Sequence, residues 1–336
     1  MSIVALVLVC AAAAWANPIL GALPGMSLYE VGSVDLSSYY TDPYYYDALA
    51  FNGSNLLLSA TDASSTNEDL YSVSFMRNAS GHIVGLGSAI NLAALNVEEI
   101  GNIVGGGLAF ASNGTLLYVT SPLSYLGQYA NGGSQTTPLT FNGQNLNLGG
   151  IGYVPAGFPG AGQLKLSTID GSWYDVNLSS TAGSFYQLSS LTQQSSGVPA
   201  YSFVYVPAGN RIAEDSMIAA DGSNLTLQLY GLDANGNPTG TGVVAVNGNG
   251  QTIGYGMARD PKTGDILFTT SDNQIWALSQ AVPEPGTGVL TMGAVLLLWG
   301  YSRRALTGSM RAARRAGQKA ANRPAAISSA ETITNE

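Results

Sequence analysis

Ala48-Leu49-Ala50-Phe51, then Asn52-Gly53-Ser54, then Leu56-Leu57-Leu58-Ser59: an apolar run, a turn, and a second apolar run. The turn residues tolerate the left-handed backbone that a tight hairpin needs, so the stretch reads as two antiparallel strands. The pattern recurs as Gly107-Leu108-Ala109-Phe110 and Leu116-Leu117-Tyr118-Val119 around Ser112-Asn113-Gly114. It returns as Met257-Ala258-Arg259-Asp260 and Ile266-Leu267-Phe268-Thr269 around Lys262-Thr263-Gly264-Asp265. Further strands carrying an aromatic are predicted at Asp69–Val73, Tyr125–Tyr129, Trp173–Val176, Leu227–Tyr230 and Gln274–Leu278. The word Tyr153-Val154-Pro155-Ala156-Gly157 is repeated as Tyr205-Val206-Pro207-Ala208-Gly209.

A period of roughly 43 to 60 residues with three or four strands per unit suits a β-propeller blade. Inner strands are expected to start near Leu49, Leu108, Gly152, Phe203 and Gly256, giving an all-β propeller of five blades. A sixth would follow if residues 39–46 hide another strand pair. Leu28-Tyr29-Glu30-Val31-Gly32-Ser33-Val34 is a strand with no hairpin of its own, and is predicted to close the ring as the outer strand of the last blade. A β-sandwich and a short β-solenoid are the alternatives. The predicted domain covers residues 27–280, after a linker at 17–26.

The ends read differently. Residues 1–16 are apolar and close on Ala14-Trp15-Ala16, the small-x-small pattern of a signal peptidase site, with Ala14 and Ala16 as its recognition residues. A buried N-terminal helix is the alternative, and no Lys or Arg precedes the apolar run. Cys10 is the single cysteine and lies inside this segment, so the mature chain would hold neither a disulfide nor a cysteine-based metal site.

Net charge is −9, yet seven of the 12 basic residues (Arg303, Arg304, Arg311, Arg314, Arg315, Lys319 and Arg323) fall beyond residue 301. The body keeps only Arg77, Lys165, Arg211, Arg259 and Lys262, too few cations for a nucleic-acid partner. Residues 286–301 form an apolar stretch of about 16 residues, roughly 24 Å as a helix, followed at once by Arg303-Arg304. It is expected to be a single transmembrane helix. The arginines mark its cytoplasmic flank and leave the body facing outward.

Val282-Pro283-Glu284-Pro285-Gly286-Thr287, the apolar stretch and Arg303-Arg304 together resemble the PEP-CTERM sorting signal of Gram-negative bacteria. The resemblance covers residues 281–304. It implies recognition of Val282, Pro283, Glu284 and Pro285 by an exosortase, a membrane-embedded cysteine transpeptidase-like enzyme. Cleavage would follow, with release to the cell surface or an exopolysaccharide matrix. Arg303 and Arg304 would stop transfer at the inner membrane. The same tail is carried by very different proteins, some described as ice-binding, so it implies a route rather than an activity. This chain departs from the pattern by continuing as a basic tail over 305–336, which composition assigns to disorder.

Catalytic motifs are sparse. His82 is the single histidine and sits in the turn Ser80-Gly81-His82, where it is expected to be an exposed loop residue. No metal or cofactor is demanded by a motif. Calcium is a candidate at two oxygen-rich groups, one of Asp62, Asn67, Glu68 and Asp69, the other of Asp35, Asp42 and Asp47. Asp233-Ala234-Asn235-Gly236-Asn237 lacks the closing Glu of a calcium loop and reads as a hairpin turn. Tyr39, Tyr40, Tyr44, Tyr45 and Tyr46 beside Asp42 form the candidate ligand surface, aromatic faces with a carboxylate that suit sugar rings. The alternative packs these tyrosines between blades. The leading expectation is a non-enzymatic, exported surface or matrix protein that binds polysaccharide. A secreted glycan hydrolase or lyase using carboxylates is the second reading, and an ice or surface adhesion protein the third.

Overall fold

The computed structural model describes residues 20–21, 23, 25–41, 43–62, 67–99, 101–181, 183–209 and 212–279. The predicted signal peptide with Ala14 and Ala16, Asp42, Arg211, the predicted sorting residues Val282, Pro283, Glu284 and Pro285, the predicted helix, Arg303, Arg304 and the basic tail lie outside them. The chain divides into two units at Ala281 and Val282, and only the first contains described residues.

Among the described residues every regular element is a strand. Two short ones, β1 (Leu20–Gly21) and β2 (Ser27–Gly32), precede a series of antiparallel meanders. The first is β3 (Tyr44–Asn52), β4 (Asn55–Asp62), β5 (Asn67–Arg77) and β6 (Ile83–Asn96). The second is β7 (Ile103–Phe110), β8 (Leu116–Ser121), β9 (Tyr125–Ala130) and β10 (Gly133–Pro138), followed by a small hairpin of β11 (Thr140–Phe141) and β12 (Gln144–Asn145). The third is β13 (Leu148–Tyr153), β14 (Leu164–Thr168), β15 (Ser172–Ser180) and β16 (Tyr186–Ser196). The fourth is β17 (Phe203–Val206), β18 (Ser216–Asp221), β19 (Thr226–Leu232) and β20 (Pro238–Asn247), with β1 on its outer edge. The last is β21 (Ile253–Arg259), β22 (Ile266–Thr270) and β23 (Ile275–Ser279). Its fourth strand is β2, which pairs Leu28 with Leu278 and Glu30 with Trp276. The N-terminal strand therefore closes the ring as its sequence predicts, and the fold is all-β and propeller-like.

The apolar runs lack strict alternation because each sheet is covered on both faces. On β4, Leu56 and Leu58 enter one core cluster and Leu57 the next. On β8, Leu117 and Val119 face one neighbour while Leu116 and Tyr118 face the other. On β22, Ile266 and Phe268 divide from Leu267 in the same way. Packing between successive sheets thus makes a separate core cluster at each junction out of meanders that could not bury their own faces.

Four of the innermost strands begin earlier than predicted, at Tyr44, Ile103, Leu148 and Ile253, and no additional strand pair occupies the described part of 39–46. The reason is a register break inside each strand: between Tyr46 and Leu49, Val104 and Leu108, Leu148 and Ile151, and Ile253 and Met257. A bulge leaves a backbone N–H without its ladder partner. In three meanders a second-strand hydroxyl accepts it: Ala48 N to Ser59 Oγ at 2.8 Å, Gly150 N to Ser167 Oγ at 2.9 Å, and Gly256 N to Thr269 Oγ1 at 2.9 Å.

The first and last meanders are also clasped by side chains. Arg77 donates to both carboxylate oxygens of Asp260, at 2.5 and 3.0 Å, while Asn273 accepts from Tyr46 N at 3.2 Å and donates to Tyr44 O at 2.6 Å. His82 belongs to this seam and is not the exposed loop residue that its turn suggests. Its side chain is 18% exposed and its Nδ1 lies 2.7 Å from Asp265 Oδ2. The His82 turn reaches that carboxylate because hairpin β5–β6 packs against the β21–β22 turn. Asp260 is wholly buried, so Arg77→Met would strand a carboxylate without its cation. The expected cost is about 3 kcal/mol, read as a fall of roughly 6–10 °C in Tm. An unchanged melting curve would show the clasp to be idle.

Candidate functional site

The bulge in β3 turns Asp47 toward the end of the ring where the inner strands begin. There it lines a depression of about 190 Å³ with Tyr45, Thr61, Ile103, Tyr255 and Asn273. Behind Asp47, on β5, sits Glu68. One oxygen of Glu68 accepts from the Val104 N–H of the neighbouring β7. The Ser59 hydroxyl, which accepts from Ala48 N, also bonds to Glu68. Asp47 and Glu68 are 3% and 0% exposed. Each still has one oxygen, Asp47 Oδ2 and Glu68 Oε1, without a hydrogen-bond partner.

Two carboxyls withdrawn from water this far cannot both hold a charge cheaply. Burial first, and the neighbouring Glu68 second, push Asp47 well above the usual carboxylate range. Burial pushes Glu68 up to about 8, against the pull of Ser59 and Val104 N and with some help from Asp69. A proton is therefore kept in this pair near neutrality, at a position that opens on the depression through Asp47. Acid–base chemistry needs groups of this kind, whose proton affinity lies near the working pH.

The tyrosine-rich surface predicted from the sequence is only partly brought to this place. Tyr45 is 49% exposed and lines the depression. Tyr46 also lines it, but its hydroxyl is directed inward, donating to Val34 O at 2.5 Å and accepting from Val34 N at 2.7 Å. Tyr40 is buried and donates to Ala60 O, and Tyr44 stacks between Tyr40 and Tyr46 with ring centroids 5.5 and 6.1 Å away. Tyr39 is 44% exposed and leans on Tyr71 at 5.1 Å. These rings brace the segment before β3 against the first meander.

The two acidic groups offered for calcium each supply one member of the pair, Asp47 from one and Glu68 from the other. Asp35 instead accepts from Ser37 N at 2.9 Å, and Asp69 accepts from the Tyr71 hydroxyl at 3.2 Å. Among the described residues no three His, Cys, Asp or Glu side chains gather as a metal site. Asp233 accepts from Asn235 N and Asn237 N at 2.9 and 2.8 Å, the hairpin turn expected there. The pairing of Asp47 with Glu68 was missed in the sequence. Its signal was a carboxylate set inside a strand-length apolar run, Tyr46-Asp47-Ala48-Leu49, where solvent cannot balance the charge.

No family model matches the chain, and no curated protein does. Solved structures similar to it include a Trichoderma reesei protein of carbohydrate-active enzyme family AA12, with 11% identity and a TM-score of 0.42 over 78% of this chain and 98% of that one. A glucose dehydrogenase shares 12% identity at a TM-score of 0.41, covering 75% and 99% of the two chains. The virginiamycin B lyase of Staphylococcus aureus shares 10% identity at a TM-score of 0.38, covering 77% and 75%. All three are named as enzymes, and the expectation of a non-enzymatic body is dropped; likenesses of this size bear on the fold and carry no activity over to this chain. That expectation came from the want of histidine and cysteine motifs, which says nothing about carboxyls assembled by the fold.

Proposed function

We propose that the ring is a secreted glycan-acting enzyme, a hydrolase or lyase that works through carboxylates. The observation that carries this reading is the buried Asp47–Glu68 pair with two unpartnered oxygens, opening on a depression edged by Tyr45 and Tyr255. Asp47, at the depression, gives its proton to the oxygen leaving the scissile bond, and its carboxylate then takes a proton back, from the water that adds to the freed carbon in hydrolysis or from the carbon next to the bond in elimination. Glu68, behind it, sets the proton affinity of the pair and is itself held by Val104 N and Ser59. Tyr45 and Tyr255 offer the apolar faces on which a sugar ring can lie. Calcium is a secondary candidate ligand of the same unpartnered oxygens.

Asp47→Asn keeps the shape and removes the transferable proton. Turnover on a panel of neutral and acidic polysaccharides is expected to fall about 10²–10⁴-fold. Parent-level turnover in that variant, or a parent chain inert toward the entire panel, would sink the reading.

The meanders are read as five blades. The address is part of the same proposal: export past signal peptidase, a single C-terminal helix in the inner membrane, and processing at Val282-Pro283-Glu284-Pro285 by an exosortase-like enzyme. Exopolysaccharide then lies where the enzyme is delivered. Mass spectrometry of surface material should find a C-terminus near Pro285; intact Glu336 there would rule out processing.

A further inference from the structure

At the other end of the ring, where the inner strands finish, a groove of about 510 Å³ lies on the third meander and reaches Ser112 of the second. Tyr153 at the end of β13, Gln163, Asp175 and Asn177 on β15, and Tyr186 at the start of β16 line it. Each of its principal groups is held by a neighbour. Gln128, fully buried on β9, accepts from Tyr186 N and donates to Tyr186 O, both at 2.8 Å, as a strand would. Asp175 is bonded by the Lys165 ammonium, which is 0% exposed and also donates to Asn237 Oδ1 of the fourth meander at 2.9 Å. Asn237 is in turn fixed by Asp233, to which its Nδ2 donates at 2.9 Å.

Three meanders thus preorganise one polar groove, and one of its acceptors is unused: Gln163 Oε1 is buried and has no hydrogen-bond partner. Burial and the nearby Tyr186 hydroxyl raise the Tyr153 phenol, which keeps it a hydroxyl donor beside the carboxylate. We infer that this groove binds a neutral oligosaccharide, separately from the acid pair. Sugar hydroxyls would donate to Gln163 Oε1 and Asp175, and the C–H face of one residue would lie against Tyr153 or Tyr186. Among the described residues no free cation lines the groove, since Lys165 is buried behind Asp175 and already paired to it, so a uronate chain gains no ion pair there to repay its desolvation. Tyr153 also lines the apolar axial bowl of about 500 Å³ beside Phe51, Phe110, Phe203 and Tyr205, which gives a longer chain a second place to rest.

The inference concerns binding alone and stands whether or not Asp47 transfers a proton. Calorimetry on the full chain would use cellohexaose, maltohexaose and chitohexaose as neutral probes and hexagalacturonate as the acidic one. At least one neutral probe is expected to bind, about tenfold more weakly to Gln163→Ala and to Tyr186→Ala, and within about threefold of parent to Tyr186→Phe, which keeps the ring. The inference is overturned by silence of all three neutral probes, by preference for hexagalacturonate, or by parent affinity in both alanine variants.

Discussion

Replacing Gly106 with alanine is expected to prevent the ring from assembling. A Cβ built there lies 1.8 Å from Tyr255 O, 2.3 Å from Tyr201 O and 2.5 Å from Ser202 Cβ. Two of these are backbone carbonyl oxygens, one within β21 and one just before β17, so they cannot swing aside as a side-chain tip would. Nonbonded heavy atoms settle at about 3.5–4.0 Å, and relieving the overlap would mean moving two meanders outward against their cores. The expected loss exceeds about 4 kcal/mol, the range reserved for substitutions that break packing outright. Gly149 has the same problem, its Cβ falling 1.8 Å from Ala200 O. Gly114 is the useful contrast: nothing lies within 4 Å of its Cβ, and only its φ of +86° resists a side chain. Gly114→Ala should cost about 1–2 kcal/mol. Circular dichroism and thermal melts separate the two, and a Gly106→Ala protein that melts within a few degrees of the parent would refute the close-packed axis.

Stability is expected to fall as pH rises from about 5 to about 9, opposite to the usual behaviour of a carboxylate held by a cation. In the unfolded chain Glu68 titrates near 4.5, and in the fold burial lifts it to about 8. Within that window the folded protein holds a proton that the unfolded chain releases. The contribution is therefore complete below 4.5, is lost progressively as pH rises, and levels off above about 8. At about 1.4 kcal/mol per pH unit the interval amounts to something on the order of 5 kcal/mol. Asp47, raised by the same burial, acts in the same direction. Glu68→Gln should flatten the profile, because the amide can still accept from Val104 N and has no proton to lose in this range. At about pH 9 the variant should be more stable than the parent while losing activity. Denaturant midpoints across the range decide it; a parent profile flat from about pH 5 to about pH 9 would remove the basis for a protonated pair.

The contrast between these two predictions shows where sequence reading stops. The hairpins at Leu49, Leu108 and Met257 were legible because turn residues and apolar runs act on their immediate neighbours. The closing role of Leu28–Val34 was legible because a meander lacking its fourth strand leaves an unpaired edge that a lone strand can fill. The early starts of the inner strands were not, since Val104-Gly105-Gly106-Gly107 looks like a loop until one sees that glycine is what permits backbone to approach backbone. The second-strand words Leu56-Leu57-Leu58-Ser59, Leu164-Lys165-Leu166-Ser167 and Ile266-Leu267-Phe268-Thr269 repeat a terminal hydroxyl whose use, holding the bulge of the preceding strand, shows only in three dimensions. The tyrosine cluster misled in part: five rings in eight positions suggested one surface, but β3 sends Tyr44 and Tyr46 to the face opposite exposed Tyr45, and Tyr40 in the segment before it is buried as well.

The sequence by itself determined the strand content, the turns, the strand that closes the ring, and a terminal pattern resembling a sorting signal, because each depends on residues near one another along the chain. Tertiary structure alone decided that Asp47 and Glu68 share one buried place, that Lys165 is spent on fixing Asp175, and that Gly106 must have no side chain. Those facts depend on how much water and which neighbours surround an atom. Both are set by residues far apart in sequence, which only the closed ring brings together.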